Sequence, residues 1–477
     1  MRTSHSLTVA ALAIFVFLLP SWAQTASIAG TVTDSSGAVV QGAEITVRNI
    51  DTNLSRTSTS SGTGAYSITE LPVGNYEVTV KKSSFKTFRV QSLQLTVAQA
   101  ATVNATLDPG AAAEEIQVRA DQVPAVDLET AQISNLVDQR KIEDLPLITR
   151  NPYELVLLSP GTSQTNTSLG GITVNGSRER NNNFLLDGVD NNDTSVPGIL
   201  GGVLNADPDS TSEFRVITNN FNAEFGRNTG AIIDVVTKSG TNSFHGDVYE
   251  YGRWNSFGGA RDWFNPRVDS GGQVHKMDPY VRNQFGYSFG GPIIKNKTFF
   301  FFNEEFQRFR TTLTNSSIVP TAAFKTGIFN YKGAPVDITQ TGANNGTPTI
   351  LEQFGVPVVL PPAPADPTMQ KVFALYPNPT FDNGDGLTGT LKFPSGSQQN
   401  SYNTVAKIDH HFTDRQTISL RYGYDHFFDP NPFHLDILPG NVAGVNEKSI
   451  NQAVAGNLTS TFTNSLINSF TFGWNHI

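Results

Sequence analysis

The sequence predicts a mostly β protein that opens with a small β-sandwich and ends in part of an antiparallel transmembrane β-barrel. Three observations carry this reading. Phe285, Tyr287 and Phe289 alternate with Gln284, Gly286, Ser288 and Gly290, and the same every-other-residue pattern returns several times before Ile477. Successive side chains of a strand point to opposite faces, so a greasy face backed by a polar one suits a wall between lipid and water. The 41 Gly and 32 Phe, against a charged fraction of 16%, favour many turns and aromatic strands over long helices. Beyond the N-terminus no segment is long and apolar enough to span as a helix, so a membrane location must come from strands.

Composition narrows the chemistry. The 477 residues suffice for two or three domains, and the absence of cysteine removes disulfide frameworks, thiolate nucleophiles and cysteine metal sites together. Net charge is −9, with 42 acidic against 33 basic residues and no Lys/Arg block to track phosphates, which argues against nucleic acid as a partner.

Residues 1–23 read as a signal peptide. Arg2 and His5 precede an apolar run from Leu7 to Leu19, then come Pro20 and the small-residue site Ser21-Trp22-Ala23, so the mature chain is expected to begin at Gln24. Residues 24–108 form the sandwich. Ile28, Gly30 and Val32 alternate with Ala29, Thr31 and Thr33, a turn follows at Asp34-Ser35-Ser36-Gly37, and Ile45 with Val47 precedes Tyr76, Val78 and Val80. The segments Gly30-Thr31-Val32-Thr33-Asp34, Gly64-Ala65-Tyr66-Ser67-Ile68 and Leu71-Pro72-Val73-Gly74-Asn75-Tyr76 resemble the carboxypeptidase regulatory-like domain. That resemblance implies a prealbumin-like sandwich with the carbohydrate-binding-like fold. It implies no peptidase, for the chain holds neither a His-x-x-Glu nor a His-Glu-x-x-His zinc pair.

Residues 109–121 are a linker containing Glu114-Glu115-Ile116-Gln117-Val118-Arg119-Ala120, which looks like a TonB box. A box of this kind is a β-prone stretch that a periplasmic partner captures by adding a strand. Residues 122–240 resemble the plug domain of TonB-dependent outer-membrane receptors. The matching segments are Leu157-Leu158-Ser159-Pro160-Gly161-Thr162, Val174-Asn175-Gly176-Ser177-Arg178, Phe184-Leu185-Leu186-Asp187-Gly188-Val189-Asp190-Asn191, Ala223-Glu224-Phe225-Gly226-Arg227, and the run from Gly230 to Gly240. The resemblance, to the Oar-like branch of that family, implies a mixed α/β plug. It also implies a TonB energy-transducing complex as partner, outer-membrane lipid around the barrel, and an N-terminal domain in the periplasm. Arg178, Asp187, Asp190 and Asn191 are the candidate plug-loop residues on the solute side. Asp187, Asp190 and Asp193 do not fit a calcium-loop spacing, and turn capping is the plainer expectation for them.

Residues 241–477 supply the wall. Its clearer strands carry Val248 and Tyr249, Phe285 to Phe289, Thr298 to Phe302, Ala406 to Phe412, Ile418 to Tyr424, and Leu466 to Trp474, with a loop-like stretch from about Ser316 to Ser401. Seven or eight strands fall short of the roughly 22 of a plugged transporter barrel, so the chain reads as the first part of a longer receptor or the product of a truncated gene.

Enzyme chemistry finds little support. Gly286-Tyr287-Ser288-Phe289-Gly290 matches a nucleophile elbow literally, but it lies inside an alternating strand and lacks the following helix. His410 and His411 are adjacent, hence on opposite faces of a strand, and cannot share one ion from it. No catalytic, metal or cofactor site is expected. The leading expectation is an outer-membrane receptor for TonB-energised uptake of a solute such as a carbohydrate, peptide or metal chelate. The alternative is an anchored surface or adhesion protein whose sandwich binds glycan or protein without transport.

Overall fold

The computed structural model describes residues 25–110, 115–119, 131–147, 149–165, 171–196, 200–222, 225–226, 228–255, 279–331, 334–337, 349–353, 356–360, 366–431, 438–439, 446–464 and 466–477. The expected signal peptide, Glu114, Ala120, the start of the middle unit and Ala223, Glu224 and Arg227 lie outside the described residues.

The first unit is a sandwich of two sheets. One joins β1 (Ala26–Asp34), β4 (Ala65–Leu71), β7 (Ala100–Thr102) and β8 (Ala105–Leu107). The other runs in the order β3 (Ser55–Thr59), β2 (Glu44–Asn49), β5 (Gly74–Lys81), β6 (Thr87–Leu95) and β9 (Glu115–Arg119). Alternation builds its core, for Ile28, Val32, Ile45, Val47, Val78, Val80 and Val90 are all fully buried. The buried Tyr66 and Tyr76 satisfy their hydroxyls on Val103 O and Pro72 O, each at 2.7 Å.

The central unit is a five-stranded sheet in the order β10 (Ile133–Val137), β15 (Thr211–Asn219), β16 (Ile232–Thr237), β13 (Asn183–Leu186) and β14 (Val189–Asp190). β13 and β16 are parallel and the other pairs antiparallel. A small ladder of β11 (Thr162–Gln164) with β12 (Ile172–Val174), the helix Gln139–Asp144 and the 3-10 turn Pro152–Leu158 pack beside it. β16 is buried along its whole length, so both its faces are covered. Tyr153 anchors the core edge-on to Phe184 with ring centroids 5.5 Å apart.

The wall is one antiparallel sheet in the order β17 (His245–Trp254), β18 (Tyr280–Ile294), β19 (Thr298–Pro320), β25 (Thr388–Thr413), β26 (Gln416–Asp429), β27 (Glu447–Thr463) and β28 (Leu466–His476), with the short β24 (Phe381–Asp382) on β25. It does not close, since β17 and β28 are not paired with each other. On the convex face Phe285, Tyr287, Phe289, Leu420, Tyr422, Phe470, Phe472 and Trp474 are exposed, while Gln284, Ser288 and Arg421 on the opposite face are buried. Aromatic side chains form cross-strand contacts outside, such as Phe285 with Phe306 at 5.3 Å and Phe289 with Phe300 at 5.4 Å. No helix among the described residues is long and apolar enough to cross a membrane.

Two departures from the sequence reading concern length. β19 and β25 hold 23 and 26 residues, more than twice the roughly 10 that span a bilayer, so they run into both ends of the stretch read as loop. Beyond the apolar band their outer ends bury Val319, Leu391 and Phe393 against each other, and between them lie two hairpins, β20 (Ile328–Tyr331) with β21 (Ala334–Asp337) and β22 (Thr349–Gln353) with β23 (Val356–Leu360). The connections at the opposite end, residues 295–297, 414–415 and 464–465, are short.

Candidate functional site

The central unit lies against the inner face of the wall, and among the described residues the seam between them buries Asp187, Asp207, Asp209, Glu305, Lys407 and Arg421. Asp187 sits where β13 turns into β14, with φ at 50°. Its carboxylate receives the Thr237 N–H at 3.0 Å and the Thr237 hydroxyl at 2.8 Å, faces Arg421 at 2.9 Å, and meets Lys407 Nζ at 3.4 Å. Burial opposes its charge, yet the two wall cations and the Thr237 donors hold its pKa below the usual aspartate range. Lys407 also donates to Thr237 O at 3.2 Å.

A second cluster lies along the same seam. Arg150, held at φ 58°, reaches Asp209 of its own unit and Glu305 of β19, the latter at 3.3 Å, and its guanidinium lies over the Tyr251 ring at 3.7 Å. Asp207, Asp209 and Glu305 place carboxylate oxygens within 4.8 Å of one another. Arg150 supplies the positive charge that such a grouping requires. Asp207 titrates well above the usual aspartate range, first because it is buried and then because Glu305 and Asp209 are close. It receives Asn303 Nδ2 at 2.7 Å.

Asparagines on the wall complete the seam. Asn451 donates to Val203 O and Asn457 to Asp187 O, each at 3.0 Å, while Asn403 and Asn475 donate to Asn205 O and Asp190 O. Each such bond contributes about 1 kcal/mol net, so the row positions the backbone while the ion pairs fix the register. Gly423 and Gly473 of the wall are small by necessity. A Cβ on either would lie 2.3 Å from Leu204 or 2.2 Å from Val189.

The candidate plug-loop residues separate on inspection. Asp187 is the ion-pair centre rather than a turn cap. Asp190 and Asp193 do cap turns, receiving Asn192 N–H at 2.9 Å and Ser195 N–H at 2.7 Å. Asn191 is buried and braces the loop by donating to Gly201 O at 2.7 Å and Leu204 O at 2.9 Å. Arg178 is exposed at the start of the 3-10 turn Glu179–Asn181. Residues Glu115 to Arg119 form β9 on the sandwich. Ser288, from the elbow-like motif, lies mid-strand and hydrogen-bonds Asp247 rather than a histidine. His410 meets Thr298 Oγ1 at 2.8 Å and His411 packs edge-on to Phe299, so the two part to opposite faces.

Sequence reading missed Arg150, Asp207, Asp209, Glu305, Lys407 and Arg421. A signal existed for the wall residues: Lys407 lies between Ala406 and Ile408, and Arg421 between Leu420 and Tyr422, so each charge falls on the face away from lipid. Their partners lie in irregular loops, which carry no period to read.

The sandwich docks at the short-turn end. Asp51 O accepts Asn242 N–H at 3.0 Å, Asn53 donates to Asn296 Oδ1 at 2.8 Å, and Arg56 bonds Thr461. On β15, Glu213 accepts the Val97 N–H, while Arg215 donates to Val97 O, to Thr96 Oγ1 at 2.9 Å and to Ser134 Oγ at 2.9 Å. Burial raises Glu213 to about 7. On the long-connection side a cavity of about 590 Å³ opens between central unit and wall, lined by Arg150, Asp207, Arg282, Glu305, Asn403 and Glu447 among others.

Comparison with known proteins gives two family matches. Residues 236–477 match an outer membrane beta barrel domain, and residues 27–108 match a carboxypeptidase regulatory-like domain. The TonB-dependent transporter Oar of Myxococcus xanthus is 30% identical over 315 residues, which is 62% of this chain and 28% of that protein. The chain thus spans well under half the length of this relative. Solved structures that superpose include the outer membrane transporter YddB from Escherichia coli, at TM-score 0.41 and 14% identity over 72% of this chain and 39% of that one. A mutant of the ferric enterobactin receptor from Pseudomonas aeruginosa superposes at TM-score 0.39 and 12% identity over 69% of this chain and 39% of that one.

Proposed function

Since the chain belongs to the outer membrane β-barrel family, carries a carboxypeptidase regulatory-like domain ahead of the barrel and resides in the outer membrane, we propose that it works as a plugged receptor for TonB-energised solute uptake. The observation that carries the reading is the buried seam, in which Asp187 meets Lys407 and Arg421 while Arg150 meets Glu305. A unit that merely decorated an anchor would need no charged, fully buried contact with the inner wall. In this reading residues 122–240 are the plug, and the short-turn end with its sandwich faces the periplasm, because outer-membrane barrels carry short turns there and long loops outside. The solute enters from the long-connection side, where the charged lining of the cavity favours a polar ligand. The chain catalyses no reaction.

Residues 114–120 serve as the coupling segment. A cysteine at Gln117 should crosslink to the C-terminal domain of TonB in intact cells, and Ile116→Pro should abolish the crosslink without changing outer-membrane levels, because proline removes a backbone donor. Absence of the crosslink would favour the anchored surface protein, whose sandwich would then be tested for glycan or protein binding.

A further inference from the structure

We propose that the sandwich stores the coupling segment as the outermost strand of a sheet, and that the segment must leave this sheet before pull from the periplasm can act on the central unit alone. The inference rests on the reading of residues 114–120 as the coupling segment.

β9 lies parallel to β6, with Thr87 opposite Glu115, Phe88 opposite Ile116, Arg89 opposite Gln117, Val90 opposite Val118 and Gln91 opposite Arg119. The preceding chain is fastened to the same margin, since Lys86 N–H donates to Asp108 O at 2.8 Å and Gly110 N–H donates to Ser84 O at 3.1 Å. In a strand the backbone groups of successive residues point to alternate edges, so β6 occupies one edge of β9, and a partner strand that pairs on that edge must first displace β6.

The load path makes this storage consequential. The sandwich is bonded to the wall through Asn53 with Asn296, Asp51 with Asn242 and Arg56 with Thr461. A force applied to β9 while it remains on β6 therefore passes into the sandwich and is shared between the membrane-anchored wall and, through Thr96 and Val97 with Glu213 and Arg215, the central unit. Once β9 is free, the same force runs along residues 120–132 to β10, the strand of the central unit that pairs with β15. Only the second route pulls the central unit through its own β10 without also loading the wall through the sandwich. The stored strand is thus an autoinhibitory contact, and capture competes with five paired residues of parallel ladder.

The absence of native cysteine makes the test direct. Neighbouring strands lie about 4.8 Å apart, within reach of a disulfide, so Arg89→Cys with Gln117→Cys should staple β9 to β6. The purified protein in detergent is then titrated with the C-terminal domain of TonB. The oxidised staple should bind at least about tenfold more weakly than the wild type, and dithiothreitol should restore binding, as expected when the competent state is depleted. Equal affinity in both redox states would overturn the storage inference. Amide exchange reads storage without a partner: slow exchange at alternate amides of 115–119 is expected, and exchange at all of them as fast as in unstructured chain would overturn storage while leaving the coupling reading intact. If neither the wild type nor the reduced variant binds the domain, the coupling reading fails and this inference falls with it.

Discussion

At the scale of residues, Asp187 and Glu213 show buried carboxylates in opposite situations. Asp187 is compensated by two cations of the wall, and removing its charge leaves both of them buried without a counter-ion. Loss of one partner from such a site costs about 3–5 kcal/mol, so Asp187→Asn should unseat the central unit at distinctly lower urea than wild type. Trypsin cleavage within residues 131–237 in outer-membrane vesicles would report it, and an unchanged urea midpoint would remove Asp187 from the account. Glu213 is under-compensated, and burial raises it to about 7 from an ordinary value of 4.5. A raised acid binds more protons in the folded state than in the unfolded one. Its contribution to stability is therefore full below about 4.5 and is lost as pH rises through about 7. Glu213→Gln keeps an acceptor for the Val97 N–H and removes the titration. The wild type should lose stability between pH 5 and 8 by thermal melting, and the Gln variant should show a flatter profile.

Elements differ in how far their pattern could be read, and the reason is what lies on each face. β18, β26 and β28 set lipid on one side against polar groups on the other, so Phe285 to Phe289, Ile418 to Tyr424 and Leu466 to Trp474 alternate openly. β27 escaped notice because its inner positions Ala453 and Ala455 are apolar and buried, Ala453 within the core of the central unit, while its outer face includes Gln452 and Gly456. β19 has Phe299 and Phe301 buried on the inner face as well as Phe300 and Phe302 opposite, which hides the period locally. The first half of β25 projects past the apolar band, and it reads as loop because the apolar face marked by Leu391 and Phe393 gives way at once to Ser395 and Ser397. Packing on the inner face also predicts which wall glycines matter. Gly423→Val would drive a side chain into Leu204, at a cost of about 1–3 kcal/mol of seating. Gly456→Ala faces only Leu420 Cδ2 at 3.2 Å and should leave the same urea midpoint nearly unmoved. Equal effects from both would mean that the central unit does not press on the wall at β26.

For the whole molecule, three units share one axis of contact: sandwich to central unit through Val97 with Glu213 and Arg215, and central unit to wall through the two ion clusters. The sandwich and the wall were legible from alternation and turns, because each has a buried and an exposed face. The seam was not, because its residues meet from loops and strands separated by up to 285 positions. If residues 122–240 occlude the barrel, ions should pass only once they are removed. A relative whose barrel closes, purified from its own outer membrane and reconstituted in a planar bilayer, should be electrically silent, and its variant lacking the segment equivalent to residues 122–240 should show large, stable conductance steps at equal incorporation. A conducting wild type, or a deletion variant that inserts yet stays silent, would contradict the account.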